Sequence, residues 1–269
     1  MSDPTNPVST PFGALLAGAA PPRATVEDLA GELDRLTDSQ REWVSAVIKQ
    51  FQLHHSYVRN PGSDLVNQTV LDVLGDALRI HHAFSRQALS KDRFEFALER
   101  ALSRAGIPAV LATSRTNRGH DLTINGAPVS LKTEAASNIK ANFLHISKFM
   151  ELGRGPWEFN ALREGFFQHM TSYDRIFQFR CLGQGPGKYE YELVEIPKQL
   201  LLESTNQPFV VCANSLQSPK PGYCRVADAT GERFALYFDG GTERKLQIKN
   251  IRKSLCTVHA TWQFDSASL

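Results

Sequence analysis

A chain of 269 residues, 42% of them hydrophobic, suits one large domain or a compact domain with a helical appendage, and it excludes a wholly disordered protein. Thirty basic against 28 acidic side chains leave a net charge of only +2, which excludes a polybasic tail protein and confines any nucleic-acid footprint to a local patch. The four cysteines, Cys181, Cys212, Cys224 and Cys256, form no CxxC pair and have no histidine at zinc spacing, so reduced, mostly buried thiols in a cytoplasmic protein are expected.

Residues 1–24 hold Pro4, Pro7, Pro11, Pro21 and Pro22 among small residues and are expected to form a disordered tail. The apolar octet at 13–20 lacks a basic flank and falls far short of the ~20 apolar residues that span a bilayer, and no later stretch is long enough. Thr25 can cap a helix with Asp28 in its first turn, and Leu29, Leu33 and Leu36 then recur at helical spacing. Thr37 and Gln40 repeat the capping pattern before Trp43, Val44, Val47, Ile48 and Phe51. Beyond the Asn60-Pro61-Gly62 turn, Val66, Val70, Val73, Leu74 and Leu78 make another amphipathic face, so the first third reads as helical.

Residues 90–105 read as a helix with Phe94, Ala97, Leu98 and Leu102 on one side. An apolar run at 107–111 precedes two short strands meeting at Asn125-Gly126, the dipeptide that a type I′ hairpin turn demands. Helical patterns follow at 135–152 and 157–173, then strands at 176–182 and 189–196, a short helix at 197–203 and further strands. That alternation predicts an α/β (α+β) fold: a mixed central sheet flanked by helices, with a helical region at its N-terminal side.

The hairpin carries the chemistry. A two-residue turn sets Asp121 opposite Ser130, and strand alternation puts Ser130, Lys132 and Glu134 on one face, with Val129, Leu131 and Thr133 on the other. One side of the ribbon thus presents a carboxylate, a lysine and a second carboxylate. Phosphodiester cleavage uses that set: carboxylate oxygens hold Mg²⁺, the metal activates water and stabilises phosphate charge, and a lysine orients the nucleophile or offsets developing charge. The same residues also fit the wet face of an ordinary antiparallel hairpin, so spacing alone leaves both readings open.

Residues 242–253 hold Arg244, Lys245, Lys249, Arg252 and Lys253 against one acid, Glu243. As a strand, this segment puts Arg244 and Arg252 on one face and the three lysines on the other. It fits a lysine-decorated edge strand, or a DNA contact in which arginine pairs with guanine and lysine with phosphate. Arg115 and Arg118, just before Asp121, are placed to touch phosphate near a scissile bond. Lys220, flanked by prolines, sits on a stiff loop suited to the same role. The histidine pairs His54-His55 and His81-His82 fall on expected helices, where adjacent side chains point apart, so no four-histidine metal site is expected.

The order of a helix carrying Glu95 and Glu99, a strand, an Asp-bearing strand, a Lys-bearing strand and a helix resembles the PD-(D/E)xK nuclease superfamily. Segments 114–121, 131–136, 218–223 and 237–246 are similar, more narrowly, to type II restriction endonucleases, and the resemblance runs from about residue 35 to the end. It implies a single nuclease domain over 25–269: a helical region to 89, a catalytic core over 90–200, and C-terminal strands with the basic segment over 201–269. It further implies Mg²⁺-dependent double-strand cleavage of DNA at a short GC-rich palindrome, CCCGGG, within a restriction-modification system. A homodimer meets a twofold-symmetric site most simply.

The resemblance makes Asp121 a catalytic metal ligand and Lys132 a catalytic residue. Two positions depart from the pattern: His120 stands in place of the proline, and Ser130 in place of the acid two residues before the lysine. Three carboxylates are candidates for the missing group. Glu134 emerges on the same strand face about 7 Å beyond Lys132, and a bulge at Pro128 would bring it nearer Asp121. Glu95 comes from the helix packed under the sheet, and Glu151 from the far end of the following helix. Glu134 is expected to be the catalytic acid or metal ligand, with Glu95 in support as a further metal ligand. The alternatives are a repair or mobile-element nuclease of the same superfamily, or a DNA-binding protein on that scaffold that has lost catalysis, which Ser130 motivates.

Overall fold

The computed structural model describes residues 24–112, 119–136, 138–185 and 187–267. They fall into a short helical unit that ends at Ser45 and a main unit that begins at Ala46. In the first, α1 (Val26–Asp34) opens on the expected capping box: Asp28 N–H donates to the Thr25 hydroxyl at 3.1 Å, and Thr25 N–H to the Asp28 carboxylate at 3.0 Å. α2 (Asp38–Gln52) begins with the same reciprocity between Thr37 and Gln40 and continues past the boundary.

The main unit then follows in chain order: β1 (His55–Arg59), α3 (Gln68–Phe84), α4 (Lys91–Arg104), β2 (Ala109–Leu111), β3 (Leu122–Ile124), β4 (Ala127–Glu134), β5 (Phe143–Glu151), α5 (Phe159–Met170), β6 (Arg175–Gly185), β7 (Lys188–Glu195), α6 (Lys198–Leu202), β8 (Phe209–Val211), β9 (Gly222–Asp228), β10 (Gly231–Asp239), β11 (Lys245–Arg252) and β12 (Thr257–Asp265). Seven strands form one sheet in the order β1-β12-β7-β6-β4-β3-β2, and five form a second, β5-β11-β10-β9-β8. β4 and β6 run parallel, which makes the larger sheet mixed.

Strand alternation gives the larger sheet two buried faces. One carries Leu122, Val129, Leu131, Phe177, Phe179, Tyr191 and Trp262, covered by the apolar stripes of α3 and α4. There Phe94 of α4 stacks flat on Phe179, with ring centroids 4.4 Å apart. The opposite face carries Ile176, Val194 and Ile196, packed against Leu144, Ile146, Leu236, Phe238, Leu246 and Ile248 of the smaller sheet and Phe166 and Met170 of α5.

That second interface also buries charge. Arg180 is fully buried, paired with Glu134 at 2.6 Å and with Glu192, while its Nη2 donates to the carbonyls of Lys140 and Phe143 at 2.8 and 2.7 Å. Lys253 completes the cluster on Glu192 at 2.9 Å. A buried guanidinium with both charge and hydrogen bonding satisfied is costly to disturb, because removing one partner strands the other.

The hairpin forms in the expected register, Leu122 opposite Val129 and Ile124 opposite Ala127, and Asn125 and Gly126 both take the left-handed conformation at φ 50° and 82°. No bulge interrupts it at Pro128. Two other expectations are corrected. Residues 143–151 are a strand instead of the end of a helix, and His55 opens a strand within the supposedly helical first third. The four cysteines form no disulfide, Cys181 and Cys224 being buried and the other two half-buried. Among the described residues no helix is long and apolar enough to cross a membrane.

Candidate active site

Three elements of the main unit bring the site together. Ser90 caps α4, and burial of Phe94, Leu98, Ala101 and Leu102 turns that face of the helix to the core. Lys91 and Glu95, one turn apart beside that stripe, pair at 3.1 Å. Asp121 enters β3 with its backbone fixed on both sides: its N–H donates to the Val129 carbonyl at 2.9 Å, and its own carbonyl accepts from Ala112 N–H at 3.1 Å.

The Asp121 side chain is equally constrained. Oδ2 accepts the Leu131 N–H at 2.6 Å and lies 3.5 Å from the Ser130 hydroxyl, while Oδ1 accepts from Lys91 Nζ at 2.6 Å. One ammonium therefore serves two carboxylates, Asp121 and Glu95. Burial raises the Glu95 carboxyl above its ordinary range, an effect Lys91 opposes in part. Burial disfavours the Lys91 charge too, but Asp121 and Glu95 outweigh it and hold the ammonium above its usual range.

Lys132 lies on β4, its ammonium 5.5 Å from the centre of the Phe149 ring. Burial brings it down to about 8, although nearby Asp121 favours the charged form. A cleft of about 300 Å³ opens here between β4 and β5, lined by Lys91, Lys132 and Thr133 on one side and by Ile146, Ser147, Lys148, Phe149 and Met150 on the other. Converging carboxylate oxygens suit a hard divalent cation, and three lysines around one cleft suit a phosphate anion.

The family model of type II site-specific deoxyribonucleases named SmaI matches residues 29–264. The type II restriction enzyme SmaI of Serratia marcescens is 46% identical over 231 residues, covering 86% of this chain and 93% of that protein. The chain belongs to the SmaI family. It is accordingly an enzyme, a type II site-specific deoxyribonuclease. No solved structure matches it.

In this SmaI-family chain the expected site residues are not all neighbours. Asp121, Glu95 and Lys132 come together, and Lys91, which the sequence reading passed over, joins them. Its signal was the i, i+4 spacing to Glu95 on the first turn of the same helix. Glu134 shares the strand face of Lys132 but turns to Arg180 at 2.6 Å, with Gln178 donating from 3.4 Å. Burial raises its carboxyl while Arg180 counters. Glu151 ends β5 at an exposed position, 2.8 Å from Lys148.

The expected DNA contacts divide similarly. Arg115 and Arg118 lie outside the described residues. Lys220 donates to the carbonyls of Ala213 and Ser215 at 2.7 and 2.9 Å, bracing its own loop. Arg244 sits 5.6 Å from the Trp157 ring centre and donates to the Gly155 carbonyl at 3.3 Å. Lys245 pairs with Glu243 at 2.8 Å, and Lys249 rides 3.8 Å above the Tyr237 ring. Arg252 and Lys253 are consumed by Asp228 and Glu192.

A second acidic cluster, Asp64, Glu195 and His259, brings its ligand-type atoms within 4.8 Å of one another. Arg175 already occupies it, donating to both oxygens of Asp64 at 2.8 and 2.9 Å and both oxygens of Glu195 at 2.8 and 2.7 Å. His259 Nε2 adds a contact to Glu195 at 3.0 Å while Nδ1 faces the Ser63 hydroxyl at 2.8 Å. Every donor there has a protein partner, so this cluster is a structural ion-pair network.

Proposed function

We propose that this enzyme is a homodimeric, Mg²⁺-dependent restriction endonuclease of the PD-(D/E)xK kind, acting in the cytoplasm within a restriction-modification system. Its substrate is double-stranded DNA carrying a short GC-rich palindrome, CCCGGG, a reading supported by the resemblance of segments 114–121, 131–136, 218–223 and 237–246. The single observation that carries the chemistry is the convergence of Asp121 and Glu95 on one cation position beside Lys132.

The donor set fits the metal: two carboxylates already share a positive group, and oxygen is the ligand that Mg²⁺ prefers. Asp121 and Glu95 would hold the ion, and the Leu131 N–H fixes the Asp121 carboxylate through Oδ2. The chemistry such an ion would supply there is activation of a water nucleophile and stabilisation of charge on the phosphate. Lys132 lies within the cleft, where its ammonium offsets charge on the scissile phosphate as the P–O bond breaks. Lys148, on the facing wall, helps hold the backbone anion.

Glu95 takes the place that Ser130 leaves open, and Glu134 serves the site by anchoring β4 to Arg180. Arg244, Lys245, Lys249 and Lys220 are the proposed DNA contacts of the smaller sheet and its loops, with Arg115 and Arg118 at the phosphates flanking the cut. A plasmid with one CCCGGG site tests this reading with Mg²⁺ supplied or withheld. Linear product is expected from the wild type only with metal. Asp121→Asn and Glu95→Gln should lose cleavage by at least ~100-fold while retaining a gel shift. Full activity in Asp121→Asn, or cleavage of a plasmid lacking the site, would sink it.

A further inference from the structure

The two carboxylates given to the metal are not bare. Lys91 Nζ lies 2.6 Å from Asp121 Oδ1 and 3.1 Å from Glu95 Oε1, in the position a bridging cation takes. Asp121 immediately precedes β3 and Glu95 lies on α4, so the ammonium also ties two segments that would otherwise meet as like charges. Its side chain is 39% exposed and springs from the first residue of α4, so it can swing into the cleft without moving the backbone.

We propose that Lys91 is a positioning residue and a built-in stand-in for the metal: it holds Asp121 and Glu95 at one cation's separation in the free enzyme and is displaced when the divalent ion arrives. A dication held by Asp121 and Glu95 would need the position that Lys91 Nζ fills between them, and two positive charges at contact range repel. Occupation is therefore exclusive, and the protein attenuates its own metal affinity. The released ammonium has a destination, since Lys91 lines the same cleft as Lys132 and Lys148. A third positive charge becomes available to a DNA phosphate only after the metal has bound, so metal and DNA binding reinforce each other.

This inference rests on the reading of Asp121 and Glu95 as metal ligands, and the experiment separates the two. Mn²⁺ is titrated calorimetrically into DNA-free wild type, Lys91→Met, Lys91→Gln, Lys91→Arg and Asp121→Asn, each checked for cooperative melting. Lys91→Met and Lys91→Gln should bind Mn²⁺ at least about tenfold more tightly than wild type, the scale of releasing partly exposed ion pairs. Lys91→Arg, which keeps the charge, should stay close to wild type, and Asp121→Asn should lose binding. Unchanged or weaker affinity in both neutral variants, with Asp121→Asn still defective, would overturn the stand-in role alone. Wild-type affinity in Asp121→Asn, or no binding by any variant, would overturn the metal-site reading beneath it.

Discussion

At the scale of single residues, His82 shows how a buried side chain fixes its own protonation state. Nδ1 faces the Ser85 carbonyl at 2.9 Å, which can only accept, so that nitrogen carries the proton. Nε2, 2.8 Å from the Tyr191 hydroxyl, then accepts from it, and the Tyr191 oxygen in turn accepts the Leu89 N–H at 3.0 Å. A second ring proton would break this chain, and burial lowers His82 from 6.5 to about 4. The unfolded chain binds that proton near pH 6.5 while the folded chain does not, so the contribution is full above 6.5 and is lost as pH falls toward 4. Urea denaturation across that window should show stability dropping by on the order of 3 kcal/mol from this residue. His82→Phe should flatten the slope, and an unchanged slope would assign it elsewhere. The same scale explains why the hairpin was legible and the partner of Glu134 was not. Asp121, Ser130 and Lys132 follow from a two-residue turn and strand alternation, both local. The pairing of Glu134 depends on Arg180, 46 residues further along the sequence and opposite it across the parallel pair.

At the scale of elements, the helices with one clean apolar stripe, α3 and α4, match their sequence patterns, whereas β5 does not. Its pairing slips against β11, Leu246 facing Met150 but Ile248 facing Ile146, so four residues of β5 span two of its partner. The buried residues Leu144, Ile146 and Phe149 consequently lose the period of two and imitate a helix. β11 carries its own irregularity at Asn250 in the left-handed region, after which Ile251 instead of Asn250 turns inward. The charges therefore do not split as a regular strand predicts. β1 was missed because only Tyr57 of its residues is even half-buried, leaving no alternation to read. What seats β1 is a close approach: a Cβ at Gly75 of α3 would lie 2.3 Å from the Tyr57 ring. Gly75→Ala should cost about 2 kcal/mol by overpacking, and much less in a Tyr57→Ala background. Equal losses in both backgrounds, measured by chemical denaturation, would show that the ring is not what the glycine accommodates.

At the scale of the whole molecule, the proposed palindrome and the proposed dimer make a prediction that no single chain can meet alone. Refolding wild type with excess Asp121→Asn should fill mixed dimers with one working site, which nick a plasmid instead of cutting both strands. A monomeric enzyme in the same mixture would give only diluted linear product. The sheet order adds a constraint of a different kind. β12, residues 257–265, lies between β1 and β7, pairing Tyr57 with Trp262 on one side and Trp262 with Tyr191 on the other. Trp262 is fully buried and donates its indole N–H to the Leu71 carbonyl at 2.9 Å, so the last strand is a central one. During synthesis at roughly 5–20 residues per second, β1 waits on the order of 10–40 s for its partner β12 to leave the ribosome. Through that interval β1 and β7 both present open edges, and a chain stopped short of residue 257 keeps them open for good. Premature termination near the 3′ end of the message should therefore yield an aggregating fragment that chaperones and proteases must clear, not a weakened nuclease.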